Sequence, residues 1–375
     1  MTAALRALTR RRPLSGSVVL RLFWLALAIG LLWLTLRAVN LGEVWDYLRR
    51  LQPGQLLLLL AANGVVLATF SARWWLLLYA QGYALPYHHL IAYRLATFAV
   101  SYFTPGPHFG GEPLQVYLAT ARHKVPVSVS IAAVVLDKVL EMLANFTFLT
   151  LGVLFILRWQ VLPGVGDEPL LIASLLLLAL PVLVLVALWL GWHPLSAGLN
   201  WLDQGWQRVV RQFGRRYGTL TEGTFYRTVR QSEEQSIVLC RRHPMILLLA
   251  FGASALSWAA IVAEFWFMTS VLGLGLTLPE SVAALLAARV AILLPLPAAL
   301  GALEASQMLA MRALGQNPAA GVSLSLLIRG RDMLLGAAGM LIAGIMVWGH
   351  KKQPMDAVQP IPTPSLVPPA LERKE

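Results

Sequence analysis

Two stretches decide the reading: Thr104-Pro105-Gly106-Pro107-His108-Phe109-Gly110-Gly111-Glu112, and Leu294-Pro295-Leu296-Pro297-Ala298-Ala299-Leu300-Gly301-Ala302-Leu303-Glu304. Each sits inside an otherwise apolar run, at 88–118 and 281–316. A helix cannot continue through such a stretch, because proline lacks the N–H and its ring collides with the preceding turn. Both present Pro-x-Pro, then glycine, then Glu: Pro105, Pro107, Gly110, Gly111 and Glu112 against Pro295, Pro297, Gly301 and Glu304. Pro105 and Pro295 are 190 residues apart, and Glu112 and Glu304 are 192 apart. Trp74 and Trp266 (192), Pro86 and Pro279 (193), and Asp137-Lys138 against Arg329 (192 from Asp137) keep that register. An internal repeat is therefore expected.

The surrounding runs supply the fold class. Hydrophobic residues make up 58% of the 375 and charged ones 13%, against roughly 25% charged in soluble domains. Runs at 18–36, 55–80, 127–157, 170–192, 244–272 and 321–348 are each about the 20 residues of helix that cross hydrocarbon. Inside lipid such runs must be helical, and the short alternating strands of a barrel are absent. The expectation is an all-α polytopic membrane protein with six full transmembrane helices and two Pro/Gly-broken helical hairpins in an inverted repeat. The run at 18–36 reads as an uncleaved first span rather than a signal peptide. The organisation follows: an N-terminus at 1–17, a membrane region with the first unit at 18–192, a basic loop at 193–243, a membrane region with the second unit at 244–350, and a proline-rich disordered tail at 351–375.

A net charge of +12 would suggest nucleic acid in a soluble chain, but here the basic residues gather between apolar runs and nucleic-acid binding is not expected. Arg208, Arg211, Arg215, Arg216, Arg227, Arg230, Arg241 and Arg242 place the central loop on the cytoplasmic side. If the broken stretches re-enter rather than cross, Arg10–Arg12, Arg122, Lys124 and Lys351–Lys352 share that side, and both termini are cytoplasmic. If they cross, Arg122 and Lys124 fall outside. The expected location is the bacterial cytoplasmic membrane. Leu202, Trp206, Val209, Val210 and Phe213 recur at helical spacing beside Arg208, Arg211 and Arg215, as in a helix lying on anionic lipid. A helix packed under the bundle has the same pattern.

Charges inside the apolar stretches carry the site. Arg73, Arg94, Glu112, Asp137, Lys138, Glu141, Glu264, Arg289, Glu304, Arg329, Arg331 and Asp332 lie in or beside them. Each costs about 2.5–3.5 kcal/mol at mid-membrane, so they pair or face a cavity. Paired helix breaks in two halves point to a transporter's central site. Helices kinked only for packing are the bland alternative. Arginine holds phosphate through two parallel hydrogen bonds and stays charged when buried. Arg94, Arg289, Arg329 and Arg331 therefore suit a lipid phosphate, and the half-helix N-termini at Gly110–Gly111 and Gly301 offer N–H donors to an anion. The substrate-binding candidates are Arg94, Glu112, Asp137, Arg289, Glu304 and Arg329. Single Cys240 makes no internal disulfide. His88-His89 lacks partners at metal spacing, so no metal site is expected. Neither a nucleotide phosphate loop nor a Gly-x-Ser-x-Gly elbow occurs, and no cofactor is expected.

With these residues in view, the chain resembles the lysylphosphatidylglycerol synthase transmembrane-region family, also called flippase-like or UPF0104. The matching elements are Pro105-Gly106 through Gly110-Gly111-Glu112, Leu136-Asp137-Lys138 with Glu141, Pro295-x-Pro297 through Gly301-x-x-Glu304, and Arg329. The resemblance implies a polytopic module that moves or handles lipids. In aminoacyl-phospholipid synthases it passes the modified lipid across the membrane, and other members accompany hopanoid or polyprenyl-linked sugar pathways. Gln115 and Lys138 stand where members commonly have Arg, and Ala298-Ala299 where glycine is common. No stretch has room for the aminoacyl-transfer domain, so synthesis of lysylphosphatidylglycerol is not expected.

The leading expectation is a non-enzymatic, flippase-like protein that translocates or handles an anionic or polyprenyl-type lipid without ATP. Its partners would be that lipid, an anionic lipid surface at the basic loop, and envelope-pathway proteins. The alternatives are a non-transporting accessory subunit of an envelope pathway and a lipid-linked glycosyl- or phosphotransferase.

Overall fold

A backbone N–H or C=O left unpaired in hydrocarbon costs several kcal/mol, so each long apolar run closes its hydrogen bonds within itself. A computed structural model describes residues 41–49, 51–103, 110–159, 167–212, 223–294 and 296–349, together with Trp33 and Arg37, and these form helices and connecting turns with no strand. Apart from Trp33, the span expected at 18–36 lies outside the described residues, as do Arg10–Arg12, Pro105, Pro107, His108, Pro295 and the tail at 351–375.

The helices are α1 (Leu41–Leu48), α2 (Pro53–Ala80), α3 (Tyr87–Phe103), α4 (Glu112–His123), α5 (Val127–Trp159), α6 (Asp167–Trp189), α7 (Pro194–Gln212), α8 (Thr224–Arg242), α9 (Pro244–Val271), α10 (Leu278–Ile292), α11 (Ala302–Ala313) and α12 (Pro318–Gly349). A short turn at Pro297–Ala299, with Ala298 and Ala299 in left-handed conformation, precedes α11. Among the described residues, α2, α5, α6 and α9 are long and apolar enough to cross a membrane. The 32-residue α12 has the length as well, but Arg329, Arg331 and Asp332 interrupt its apolar run.

Local chemistry sets the boundaries. Pro53 and Pro244 open α2 and α9, where a missing N–H is harmless. Both helices then end alike. Gly82 and Gly273 take positive φ, 87° and 70°, and Tyr83 and Leu274 donate N–H back to Leu78 and Thr269 at 3.0 and 3.1 Å. This is the glycine-terminated helix end, which satisfies carbonyls that the stopped helix leaves open. An indole then fastens the next segment. Trp75 Nε1 donates to Leu85 O and Trp266 Nε1 to Leu276 O, both at 3.1 Å. The tryptophan equivalent to Trp266 is therefore Trp75, not the expected Trp74, which is fully buried. The working offset is 191.

At the same offset α2 and α9 exchange contacts. Arg73 Nη1 donates to Ser254 Oγ at 3.0 Å, and Asn63 Nδ2 donates to Glu264. Asn63 corresponds to Ser254, and Arg73 to Glu264. The early residue of each helix meets the late residue of the other, so α2 and α9 run antiparallel and a two-fold relation swaps them.

The broken stretches turn back on themselves. Tyr93 and His123 share a hydrogen bond of 2.9 Å and the His89 and His123 rings lie 5.5 Å apart, so the start of α3 adjoins the end of α4. In the second unit Ala291 near the end of α10 shares a buried cluster with Ala302 at the start of α11, and Gln307 Nε2 donates to Ala284 O at 2.9 Å, so α11 runs back antiparallel along α10. The first hairpin follows the C-terminal end of α2 and the second that of α9. Because those helices are antiparallel, the hairpins insert from opposite ends of the bundle. Each leans on the other half: α3 packs along α12, and α10 packs against α5.

The basic loop contains the α7–α8 pair. Glu233 on α8 is buried and accepts N–H from Leu195 and Ser196 and the Ser196 hydroxyl, capping the first turn of α7. Leu195, Trp201 and Leu202 are exposed on α7, and Trp189 and Trp192 on its approach. The side chains of Trp206, Val209, Val210 and Phe213 lie outside the described residues.

Candidate functional site

Between the two halves lies a cavity of about 360 Å³ whose wall draws on α2–α5 and α9–α12. Arg94, Glu112, Asp137 and Arg289, four of the six substrate-binding candidates, line it. So do Lys138, Glu141, Glu264, Arg331 and Asp332.

One face is an ion-pair network from the first unit. Asp137 on α5 accepts Arg73 Nε at 2.7 Å and Arg94 Nη2 at 2.8 Å. Arg73 also reaches Glu141 at 3.1 Å, and Lys138 bridges Glu141 (3.2 Å) and Glu112 (3.1 Å). Three cations therefore balance three carboxylates, and the Arg73 side chain has no exposure at all. The opposite face carries a smaller set. Arg331 binds Glu264 at 2.7 Å and Asp332 at 2.8 Å.

Arg289 differs from all of these. It projects from α10 with its guanidinium carbon 4.7 Å from the centroid of the Trp258 ring. Trp258 stacks in turn on Phe148, with ring centroids 4.2 Å apart. Among the described residues, Arg289 makes no ion pair or hydrogen bond, and its Nε is buried without a partner. Thr97 Oγ1 and Gln115 Nε2, on the same wall, are likewise buried without a partner. The network explains why Arg94 is unlike Arg289: its charge is committed to Asp137 and one N–H to Phe70 O at 2.9 Å.

Glu304 and Arg329 stand apart from the cavity wall. They pair with each other at 2.7 Å, at 1% and 12% side-chain exposure, and Arg329 Nη1 also donates to Ala298 O at 3.1 Å. The expected anion donors at the half-helix starts are occupied too. Gly110 N–H donates to Glu112 at 2.8 Å, Gly111 N–H to Ser101 at 3.0 Å and Gly301 N–H to Glu304 at 2.8 Å. The protein's own side chains fill these positions, which corrects the expectation of N–H groups waiting for a ligand. Glu112–Lys138 and Glu304–Arg329 are the corresponding pairs of the two units, so the counterpart of Arg329 is Lys138 rather than Asp137. Trp258 had no signal of its own, since tryptophan in a span reads as an ordinary apolar residue.

Comparison with known proteins fits this architecture. The family described as Lysylphosphatidylglycerol synthase TM region matches residues 21–339. The chain belongs to that family. A UPF0104 membrane protein of Methanothermobacter thermautotrophicus is 29% identical over 116 residues, which cover 31% of this chain and 33% of that protein. The chain thus aligns with a third of that relative. No solved structure matches. As a family member with several long apolar helices, the chain is a multi-pass membrane protein.

Proposed function

We propose that this family member receives the anionic headgroup of a lipid at Arg289 and carries that lipid across the bilayer, without ATP and without covalent chemistry. The observation behind the reading is Arg289 itself. A half-buried cation on a cavity wall with no direct ion pair is costly, while stacking on an aromatic ring returns only about 0.5–2 kcal/mol. The remainder favours an anion in the cavity, and the planar guanidinium fits phosphate through two parallel hydrogen bonds. The space of about 360 Å³ suits a headgroup whose acyl or polyprenyl chains stay in the surrounding bilayer. Hairpins inserted from opposite ends support a re-entrant, inverted arrangement of the kind transporters place around a midplane site. Glu112 and Asp137 set the position of the neighbouring cations, and Glu304 with Arg329 closes the second break.

In this reading the Arg-rich loop faces the cytoplasm of a bacterial cell, with both termini on that side. The exposed tryptophans around α7 rest on an anionic lipid surface.

The test is lipid translocation in proteoliposomes with labelled anionic, zwitterionic and polyprenyl-phosphate lipids. Wild type is expected to accelerate one anionic class, Arg289→Ala to lose at least tenfold, and Arg289→Lys to recover part of it. If wild type moves no lipid faster than empty vesicles do, the transport reading falls, and a pathway partner that supplies activity becomes the object of search.

A further inference from the structure

The two-fold relation between the units is broken at the hairpins, where their ion pairs and their seams with the long helices differ in one sense. Glu112–Lys138 and Glu304–Arg329 are corresponding ion pairs, each between a half-helix start and the adjoining long helix. The first is 23% exposed on both sides and opens on the cavity. The second is nearly closed off. The corresponding seams differ likewise. Leu95 on α3 and Leu286 on α10 are 191 apart. At Leu95, α12 comes so near that a Cβ on Gly339 would collide with the Leu95 carbonyl oxygen. At Leu286, Gly152 of α5 faces the leucine side chain rather than backbone, a contact that the flexible side chain can relieve. The α3–α12 packing is also more extensive than α10–α5, and α11–α12 more extensive than α4–α5.

We infer that this is one of two exchangeable states, and that the corresponding ion pairs are alternating latches. In the other state α10 closes on α5, Glu112–Lys138 becomes buried, α12 parts from α3, and Glu304–Arg329 opens on the cavity. The inference rests on the transport reading and adds its conformational step. Interconversion between similar packings holds a minor state at roughly 0.1–10%, and weakening one latch shifts that balance. The same headgroup cavity then faces the two ends of the bundle in turn.

The measurement is a pair of spin-label distances in lipid nanodiscs, in a Cys240→Ser background. Labels at Tyr87 and Ile345 report the α3–α12 seam, and labels at Leu278 and Leu154 report its counterpart; all four native side chains are exposed. Glu304→Gln is expected to lengthen the first distance and shorten the second, by about 5 Å, the scale of one helical turn. Glu112→Gln is expected to leave the wild-type distances dominant. Gly339→Leu, a steric wedge in the closed seam, reproduces the Glu304→Gln shift. Distances that do not move, or that lengthen together, overturn the proposal; if Gly339→Leu does not fold, Glu304→Gln decides. Translocation is scored separately. Exchange without lipid movement sinks the transport reading alone, and lipid movement without exchange sinks this one alone.

Discussion

Arg73 and Glu264 hold corresponding places on α2 and α9, 191 residues apart, and carry opposite charge. Each reaches a polar residue on the other long helix, Ser254 and Asn63, and each is ion-paired to the last long helix of its own unit. The first unit thus sets a cation on its first helix against carboxylates on α5, and the second sets a carboxylate on its first helix against a cation on α12. The scaffold is conserved between the halves while the charge is exchanged. The first half's network is neutral, three cations to three carboxylates, whereas Arg331 in the second faces two, Glu264 and Asp332; an uncompensated buried charge costs more than a paired one returns.

Neutrality is testable at Arg73. Arg73→Met leaves Asp137 with Arg94 and Glu141 with Lys138, but gives the network one excess negative charge. Breaking such a buried pair costs about 3–5 kcal/mol. Arg73→Met combined with Glu141→Gln restores neutrality and is expected to recover most of that loss. Thermal unfolding in detergent, arranged as a double-mutant cycle, reads the coupling. A double variant no more stable than the single one would show that the Arg73 geometry, not the charge balance, matters.

Glu233 gives a second prediction. Its carboxylate caps the first turn of α7 through Leu195, Ser196 and the Ser196 hydroxyl. Loss of a capping side chain costs about 0.5–2 kcal/mol, and here it also leaves two N–H groups open. Glu233→Ala is expected to raise hydrogen exchange at the start of α7 several-fold while the α2–α9 pair is unchanged. Uniform exchange throughout the chain would point to a global loss of stability instead.

The long helices were plain in the sequence because apolar runs have only one structural solution in lipid. Runs at 55–80, 127–157 and 244–272 became α2, α5 and α9 within a few residues. The two breaks were equally legible through proline. Register within the repeat was not. Trp74 and Trp75 are adjacent, and spacings between 190 and 193 admit either, so only the hydrogen bonds to Leu85 and Leu276 choose Trp75. Asp137 and Lys138 posed the same one-residue problem, and contact with Glu112 decides for Lys138. Arg94 and Arg289 looked alike as isolated intramembrane arginines. Their difference depends on Asp137, 43 residues from Arg94, and on Trp258 from another helix, and no sequence pattern carries such contacts.

Cys240 bears on every labelling experiment. It is buried near the end of α8, outside the spanning helices, and burial pushes its thiol up to about 11. A raised thiol pKa lowers the reactive thiolate at neutral pH, here by about a hundredfold against an ordinary cysteine. The native protein is expected to resist maleimide at pH 7.5 over the minutes in which a cysteine at Tyr87 reacts fully. Labelling should become rapid on unfolding. Equal rates for both sites in folded protein would place Cys240 in contact with solvent.

The second helix break holds a local strain that two substitutions can separate. Ala298 and Ala299 both take positive φ, 48° and 51°, a conformation that costs an L-residue about 1–2 kcal/mol. Glycine removes that strain but loses about 0.5–1 kcal/mol through the freedom of the unfolded chain. At Ala298, which is half-buried, the balance favours Ala298→Gly by a few tenths to about 1 kcal/mol. At Ala299, which is 3% exposed, Ala299→Gly also gives up a buried methyl worth about 0.8 kcal/mol, so the change should be near zero. Ala298→Val, a β-branched residue at positive φ, should destabilise by about 1–3 kcal/mol. Unfolding midpoints of the three variants in one detergent test this order. If Ala298→Gly melts below wild type, the break is held by the methyl contacts of Ala298, and Arg329 bound to its carbonyl clamps a turn with no strain to relieve.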